Sequence, residues 1–137
     1  MTRIIALTLA IAAGTVAHAS DDYMRIDPSK ADQIETRMTE KGYDLRKIEM
    51  DDGMYEVDAI KNGVRYEFNL DRDLAIMESE IANMDHITTL LAEQGYDVQK
   101  VEMDDSMYYE ANAIKDGVRY EIDLGKDLTV VKTEIDD

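Results

Sequence analysis

Apolar residues recur along the chain at two spacings, one typical of helices and the other typical of strands. In two segments they lie three and four residues apart, as on one face of a helix. These positions are Ala31, Ile34 and Met38 in the first segment and Ile81, Met84, Ile87 and Leu91 in the second. Asp27-Pro28 supplies an N-cap and a first helical proline, and Gly42 and Gly95 are suited to the residue after a helix. We therefore predict helices over residues 28–41 and 81–94.

Alternation of apolar and polar residues follows each predicted helix and predicts a hairpin. The two-residue turns, Asn62-Gly63 and Asp116-Gly117, tolerate the positive φ of a type I′ turn. The alternating apolar residues are Tyr55, Val57, Ala59, Val64, Tyr66, Phe68 and Leu70 in the first hairpin and Tyr109, Ala111, Ala113, Val118, Tyr120, Ile122 and Leu124 in the second. A strand over residues 43–50 precedes the first hairpin, and the spacing of Leu45 and Ile48 in it predicts a bulge.

A last strand is predicted after each hairpin, and the whole unit occurs twice. The last strands contain Leu74 with Ile76, and Leu128 with Val130. Residues 42–80 align with residues 95–134, with one extra tyrosine in the second copy, and 23 of the 39 aligned pairs are identical. Two copies indicate an internal duplication rather than a solenoid, which needs at least three.

We therefore predict an α+β fold of two tandem units, over residues 20–80 and 81–137. Each unit has one helix packed on a three- or four-stranded antiparallel sheet. A single unit of this size would bury a marginal core. The pattern leaves open whether the two units share one sheet or abut as separate lobes.

The first residues have the pattern of a secretory signal peptide. Arg3 precedes an apolar run from Ile4 to Val16, and Ala17-His18-Ala19 matches a cleavage site. The run is shorter than the roughly 20 apolar residues that span a bilayer as a helix. We predict cleavage after Ala19 and a periplasmic or secreted protein without membrane insertion, with an uncleaved anchor as the alternative.

Charge and composition exclude several classes of function. The chain has 31 acidic and 15 basic residues and a net charge of −16, which repels nucleic acid and anionic lipid surfaces. It has no cysteine, which excludes thiol catalysis, zinc–thiolate sites and disulfides. The serines and His86 form no nucleophile–base motif. We therefore predict a non-enzymatic protein with no catalytic residue and no cofactor.

The repeated segment resembles the PepSY domain. A helix closing in Gly-Tyr, a K-[IV]-E-x-D-D strand and turn, and a G-V-R-Y-E hairpin carry the resemblance. In this chain the strand and hairpin segments are Lys47–Glu56 with Gly63–Glu67, and Lys100–Glu110 with Gly117–Glu121. The resemblance implies a helix on an antiparallel sheet in an exported or membrane-associated protein. It also implies protein binding, often inhibition of a peptidase, and no catalytic residues.

One segment departs from the family pattern. Many members follow the hairpin with a D-P-x-[TS]-G-E turn, whereas this chain has Asp71-Arg72-Asp73 and Gly125-Lys126-Asp127 in those places. The geometry of that turn, and anything a partner recognises in it, therefore does not carry over.

The face of each predicted sheet that points away from its helix is the candidate binding surface. Its candidate residues are Met54, Glu56, Asp58, Arg65 and Glu67 in the first copy and Tyr108, Glu110, Asn112, Arg119 and Glu121 in the second. A mixed acidic, methionine and tyrosine surface suits a basic protein partner, although a half-solvated antiparallel face looks similar without one. From this face and the resemblance together, we predict an exported protein that binds a peptidase or another envelope protein, with inhibition of that protein as one outcome.

The alternative function is low-affinity metal binding by the acidic turns and the methionines beside them. Asp51-Asp52 and Asp104-Asp105 offer carboxylates to Ca²⁺, and the pairs Met50/Met54 and Met103/Met107 offer thioethers to Cu(I). Solvated turns and core-filling methionines explain these residues more simply. Asp71-x-Asp73 lacks the later ligands of a calcium loop. We therefore assign no metal ligand.

Overall fold

Two helices and seven strands make up the part of the chain that this computed structural model describes, residues 26–104 and 108–136. In chain order they are α1 (Pro28–Glu40), β1 (Asp44–Asp51), β2 (Met54–Lys61), β3 (Val64–Leu70), α2 (Met77–Glu93), β4 (Asp97–Asp104), β5 (Tyr108–Lys115), β6 (Val118–Leu124) and β7 (Val130–Ile135). The strands lie in that same order in one sheet. The predicted α+β class is confirmed.

The two repeats join through a parallel pair of strands. One edge of β3 pairs with β2, and its other edge pairs in parallel with β4, where Tyr66 lies opposite Val101 and Glu67 opposite Glu102. Parallel neighbours need a long crossover connection, and α2 lies in that connection. All other neighbouring strands are antiparallel. The antiparallel sheets predicted for the two units are therefore parts of one mixed sheet.

The helices begin and end close to where capping residues predict. The Asp27 carboxylate accepts a hydrogen bond from the N–H of Ser29 at 2.9 Å, and α1 starts at Pro28. Gly42, just beyond its end, has φ +92°, a left-handed conformation that glycine adopts at low cost. The second helix starts at Met77 rather than at the predicted residue 81. Met77 is fully buried, so it adds a turn to the apolar stripe.

Local pairing in the first repeat follows the predicted pattern. Asn62 and Gly63 have φ of +53° and +82°, as a type I′ turn requires. The predicted bulge in β1 is confirmed, because its register against β2 shifts between Leu45 and Lys47.

The predicted last strand is wrong for the first repeat and confirmed only in part for the second. Leu74 and Ile76 lie in the turn that precedes α2, whereas residues 130–135 form β7 and Leu128 stays outside it. Residues 76–81 and 130–135 occupy equivalent positions in the two repeats. The first segment continues into the apolar stripe of α2, while the second is rich in β-branched residues, which favour strands.

The core fills the space between the helices and one face of the sheet. At its centre the ring of Tyr43 meets Tyr66 and Phe68 edge-on, with centroids 5.1 and 5.4 Å apart. Fully buried side chains reach it from both helices and from six of the strands, among them Ile34, Met38, Leu45, Val57, Phe68, Met84, Leu91, Val101, Ala111 and Ile122. Both repeats therefore contribute to a single core, and the other face of the sheet has no helix from residues 26–104 or 108–136 on it.

Candidate protein-binding face

The ten candidate residues all lie on the sheet face opposite the helices, which we call the open face. In β2, for example, Tyr55, Val57 and Ala59 are buried under the helices, so Met54 and Glu56 point the other way. The same alternation places the rest on that face, namely Asp58 in β2, Arg65 and Glu67 in β3, Tyr108, Glu110 and Asn112 in β5, and Arg119 and Glu121 in β6. Because the sheet is continuous, the candidates of both repeats belong to one surface.

Five carboxyl groups form a line across the middle of the open face, one from each strand from β2 to β6. This acidic row consists of Asp58, Glu67, Glu102, Glu110 and Asp123, each directly opposite the next in the strand register. Side chains in directly opposed positions are about 5 Å apart. A lysine follows at each end, since Lys47 lies opposite Asp58 and Lys132 opposite Asp123.

Basic side chains neutralise only part of the acidic row. Lys100 Nζ lies 3.2 Å from Glu102 Oε1, and Arg65 Nη2 lies 3.9 Å from Asp58 Oδ2. The other oxygen of Asp58, Oδ1, is buried and has no hydrogen-bond partner among the residues described. The row therefore keeps a surplus of negative charge that a cationic partner can neutralise.

The two glutamates at the junction of the repeats share a hydrogen bond. Burial, followed by this hydrogen bond, raises the pKa of Glu67 to about 8. Burial acts against ionisation of Glu102 as well, but hydrogen bonds with Glu67 and Lys100 hold the pKa of Glu102 below its usual range. The pair therefore retains one proton at neutral pH, which lowers the repulsion between two directly opposed carboxyl groups.

One end of the acidic row has carboxylates close enough to share a cation. Single oxygens of Glu110, Glu121 and Asp123 lie within 4.8 Å of one another, and all three side chains are half-buried. Oxygen ligands of this kind suit Ca²⁺ or Mg²⁺. Such groups are also common on acidic surfaces without a metal, so we assign no metal ligand to them.

The methionines considered for Cu(I) do not converge in the first repeat. Met50 lies opposite Tyr55 and packs against the core, whereas Met54 lies opposite Asp51 on the open face. In the second repeat Met103 packs against the core. Met107, Asp105 and the side chain of Asp104 lie outside the described part of the structure, so their arrangement stays a prediction.

A separate polar contact lies under α2. Glu80 is 6% exposed, and its Oε2 accepts a hydrogen bond from the Tyr109 hydroxyl at 3.2 Å. Asn83 donates to the same hydroxyl oxygen at 2.8 Å, while Glu80 Oε1 has no hydrogen-bond partner among the described residues. Burial raises the pKa of Glu80 to about 7 and that of Tyr109 to about 12. These groups tie α2 to β5.

Sequence reasoning missed several residues of the open face, among them Glu102, Lys100 and Asp123. Asp123 could have been found, because counting outward from the Asp116-Gly117 turn places it opposite Glu110. Glu102 and Lys100 lie on β4, and only the parallel junction brings them beside the first repeat. That pairing has no local signal in the sequence.

Comparison with known proteins identifies the repeat. The family described as peptidase propeptide and YPEB domain (PepSY_2) matches the chain twice, over residues 2–80 and 72–134. No curated protein and no solved structure matches the chain. The two matches agree with tandem copies that meet at the start of α2. Neither described helix is long and apolar enough to cross a membrane.

Proposed function

Since the chain belongs to the peptidase propeptide and YPEB domain family, we propose that it is a propeptide-like protein that binds, and thereby inhibits, a peptidase of the cell envelope. It acts after export and cleavage following Ala19, and it is not itself an enzyme. The open face is the binding surface. The observation that carries the proposal is the acidic row, which presents five carboxyl groups in register across both repeats.

Charge complementarity selects a partner with a basic surface. The acidic row extends across five strands, and strand spacing is about 4.8 Å, so a partner with a linear series of lysines or arginines fits it. Complementary charge speeds association and fixes orientation more than it adds affinity. Apolar contact comes from the margin of the face, where Met54 is half-buried and Tyr108 is 49% exposed, since methionine and tyrosine are enriched at interfaces.

The test is capture of a peptidase followed by an inhibition assay. Protein beginning at Ser20, which keeps every described residue, is immobilised and loaded with envelope extract from the source cell. We expect a peptidase to be retained, to elute as salt rises, and to lose activity when the free protein is added back. A Glu56→Lys/Glu110→Lys variant should abolish both retention and inhibition, because it places two cations on the open face.

A matched variant separates the open face from net charge. Glu40→Lys/Glu93→Lys changes the total charge equally but lies at the exposed ends of α1 and α2, and it should retain and inhibit the peptidase as the parent does. Equal loss in both variants would show nonspecific charge attraction, and retention of no peptidase would overturn the proposal. A calcium chelator in the buffer separates this function from the alternative, weak metal binding, which the group of Glu110, Glu121 and Asp123 favours.

A further inference from the structure

The contact between the two repeats shows how one repeat binds the next. On the helix side, the Tyr43 hydroxyl donates a hydrogen bond to Asp85 Oδ1 of α2 at 2.5 Å, and Lys61 Nζ lies 3.3 Å from Asp85 Oδ2. In the sheet, β4 pairs in parallel with β3. The first repeat therefore holds the second by a tyrosine–lysine grip on a helix carboxylate and by an added strand.

The second repeat contains the same grip without its carboxylate. Tyr96 and Lys115 are the equivalents of Tyr43 and Lys61, and the lysine nitrogen lies 4.9 Å from the Tyr96 ring centre, against 4.8 Å in the first repeat. Within residues 26–104 and 108–136, neither the Tyr96 hydroxyl nor Lys115 Nζ contacts a carboxylate. The second repeat therefore has the tyrosine and the lysine of the grip, but no carboxylate contacts them within residues 26–104 and 108–136.

The helix side of β6 is correspondingly less covered than that of β3. Tyr66 in β3 is 3% exposed and its hydroxyl lies 2.8 Å from Thr88 Oγ1 of α2. Its equivalent in β6, Tyr120, is only half-buried. The edge of β6 is taken by β7, which pairs antiparallel and is exposed at all six positions, with Ile135 at 62%.

We propose that the second repeat binds the first repeat of a second copy of the chain, head to tail, when β7 leaves the edge of β6. In this joint α1 and β1 of the joining copy take the positions that α2 and β4 take within one chain. Asp32 of α1 aligns with Asp85 and is exposed, so it can enter the Tyr96–Lys115 grip. This inference does not depend on the proposed function of the open face.

The strands of the joint are as well matched as those within the chain. Tyr66, opposite Val101 in the parallel pair, aligns with Tyr120, and Val101 aligns with Ile48 of β1. A joined copy would place Ile48 opposite Tyr120 and Glu49 opposite Glu121, the equivalents of Glu102 and Glu67. The proposed joint therefore pairs the same types of residue, at equivalent positions, as the junction between the two repeats does.

β7 keeps the chains apart under ordinary conditions. It belongs to the same molecule as β6, so its effective concentration exceeds that of a second copy, and two acidic chains repel each other. A head-to-tail contact that does not close into a ring grows into open chains. A strand that covers the edge prevents this growth.

Disulfide trapping tests the joint directly, because the parent chain has no cysteine. Glu49→Cys and Glu121→Cys are combined in protein beginning at Ser20. In the proposed joint these residues are directly opposed across a parallel strand pair, at a separation that a disulfide can bridge. The Glu67→Cys/Glu102→Cys pair, opposed within one chain, is the geometric control and should form an intramolecular bond only.

Proline substitutions release β7 selectively. The N–H of Asp136 donates to the Arg119 carbonyl at 2.9 Å, so alternation along the strand points the N–H of Glu134 towards β6 and that of Thr133 away from it. Glu134→Pro should therefore detach β7, while Thr133→Pro, whose lost N–H faces solvent, should leave it in place. Hydrogen exchange along β6 reports whether β7 has left.

We expect the oxidised Glu49→Cys/Glu121→Cys protein to form a ladder of linked dimers and larger species on non-reducing gels with Glu134→Pro. With Thr133→Pro the protein should stay largely monomeric. A ladder of equal intensity in both, or in a Glu56→Cys/Glu121→Cys control away from the joint, would overturn the proposal. The proposal would also be overturned if β6 exchanged hydrogen freely, which shows that β7 has left, while the protein stayed an unlinked monomer. If Glu134→Pro does not fold, truncation after Thr129 gives the same comparison.

Charge exchange in the grip gives an independent readout. In the Glu134→Pro background, Asp32→Lys alone and Lys115→Asp alone should each reduce linked oligomers severalfold, because each leaves like charges in the joint. The double variant should restore them. Failure of the double variant to recover would contradict the assigned register of α1 on the second repeat.

Discussion

Glu80 is a residue whose ionisation the fold opposes, because it is a buried carboxyl group with one oxygen unpartnered among the described residues. Its pKa is raised from 4.5 to about 7 by burial. The folded protein therefore holds this proton more tightly than the unfolded chain does. The resulting stabilisation is complete below about pH 4.5 and is lost as the pH rises through 7.

We expect Glu80→Gln to flatten the dependence of the unfolding free energy on pH between 4.5 and 7. The glutamine can still accept from Tyr109 and carries no charge. At pH 8 the unfolding free energy of the variant should therefore exceed that of the parent by about 1 kcal/mol, because the parent must bury an ionised carboxyl group at this pH. Urea denaturation from pH 4 to 9 measures this. In the variant, Glu67, whose pKa is about 8, accounts for the dependence of the unfolding free energy on pH that remains at higher pH.

The control for this change is Glu93→Gln, at the exposed end of the same helix. It removes a charge from α2 without touching the Tyr109 contact. It should therefore move the whole curve of unfolding free energy against pH up or down without reducing its slope. Identical pH profiles for the parent and Glu80→Gln would show that Glu80 is ionised in the folded protein at neutral pH.

Among the elements, the first hairpin depends on a backbone conformation that few residues adopt. Gly63 has φ +82°, and a Cβ built on it would meet no atom within 4 Å. Gly63→Ala therefore lowers stability through the backbone conformation that the alanine must adopt, and not through a clash of its methyl group with neighbouring atoms. We expect it to lower the unfolding free energy by about 1–2 kcal/mol, measured by urea denaturation.

Gly63→Asn is the matched variant for the hairpin, because asparagine tolerates a left-handed backbone better than alanine does. It should cost clearly less than Gly63→Ala. Equal costs would mean that a lost contact, and not the backbone conformation, determines the stability of this turn.

Elements whose signals are local could be predicted from the sequence, and those decided by distant contacts could not. The Asp27 cap, the Asn62-Gly63 turn and the alternation that defines the open face all lie within a few residues of what they specify. The pairing of β3 with β4 joins residues about 35 positions apart, and nothing in either strand selects the other. Equivalent segments at 76–81 and 130–135 fold differently because only the first continues into an apolar helical stripe.

The candidate site follows the same division. Alternation along single strands was enough to predict the ten residues of the open face. The acidic row was not predictable as a row, because Glu102 enters it only through the parallel junction. The kind of partner that binds the acidic row stays a proposal, because the sequence of a charged sheet face does not specify what the face binds.

At the scale of the whole molecule, the two repeats form one folding unit. α2 follows β3 and precedes β4, and its Asp85 is held by Tyr43 and Lys61 of the first repeat. The buried side chains of both repeats belong to one hydrophobic cluster. Unfolding either repeat would expose the core and the sheet edge of the other, so partial unfolding is costly.

We therefore expect a single cooperative thermal transition that core substitutions in either repeat lower as a whole. Ile34→Ala in α1 and Leu91→Ala in α2 remove side chains that are 0% and 1% exposed, and each should cost about 2–5 kcal/mol. Calorimetry should give equal calorimetric and van't Hoff enthalpies for the parent and for both variants. Thr36→Ala, exposed on α1, should change stability by less than about 0.5 kcal/mol. Two transitions, of which Ile34→Ala lowers only the first, would mean that the parallel junction is weaker than either repeat, and the continuous sheet would then be a contact between two independent folding units.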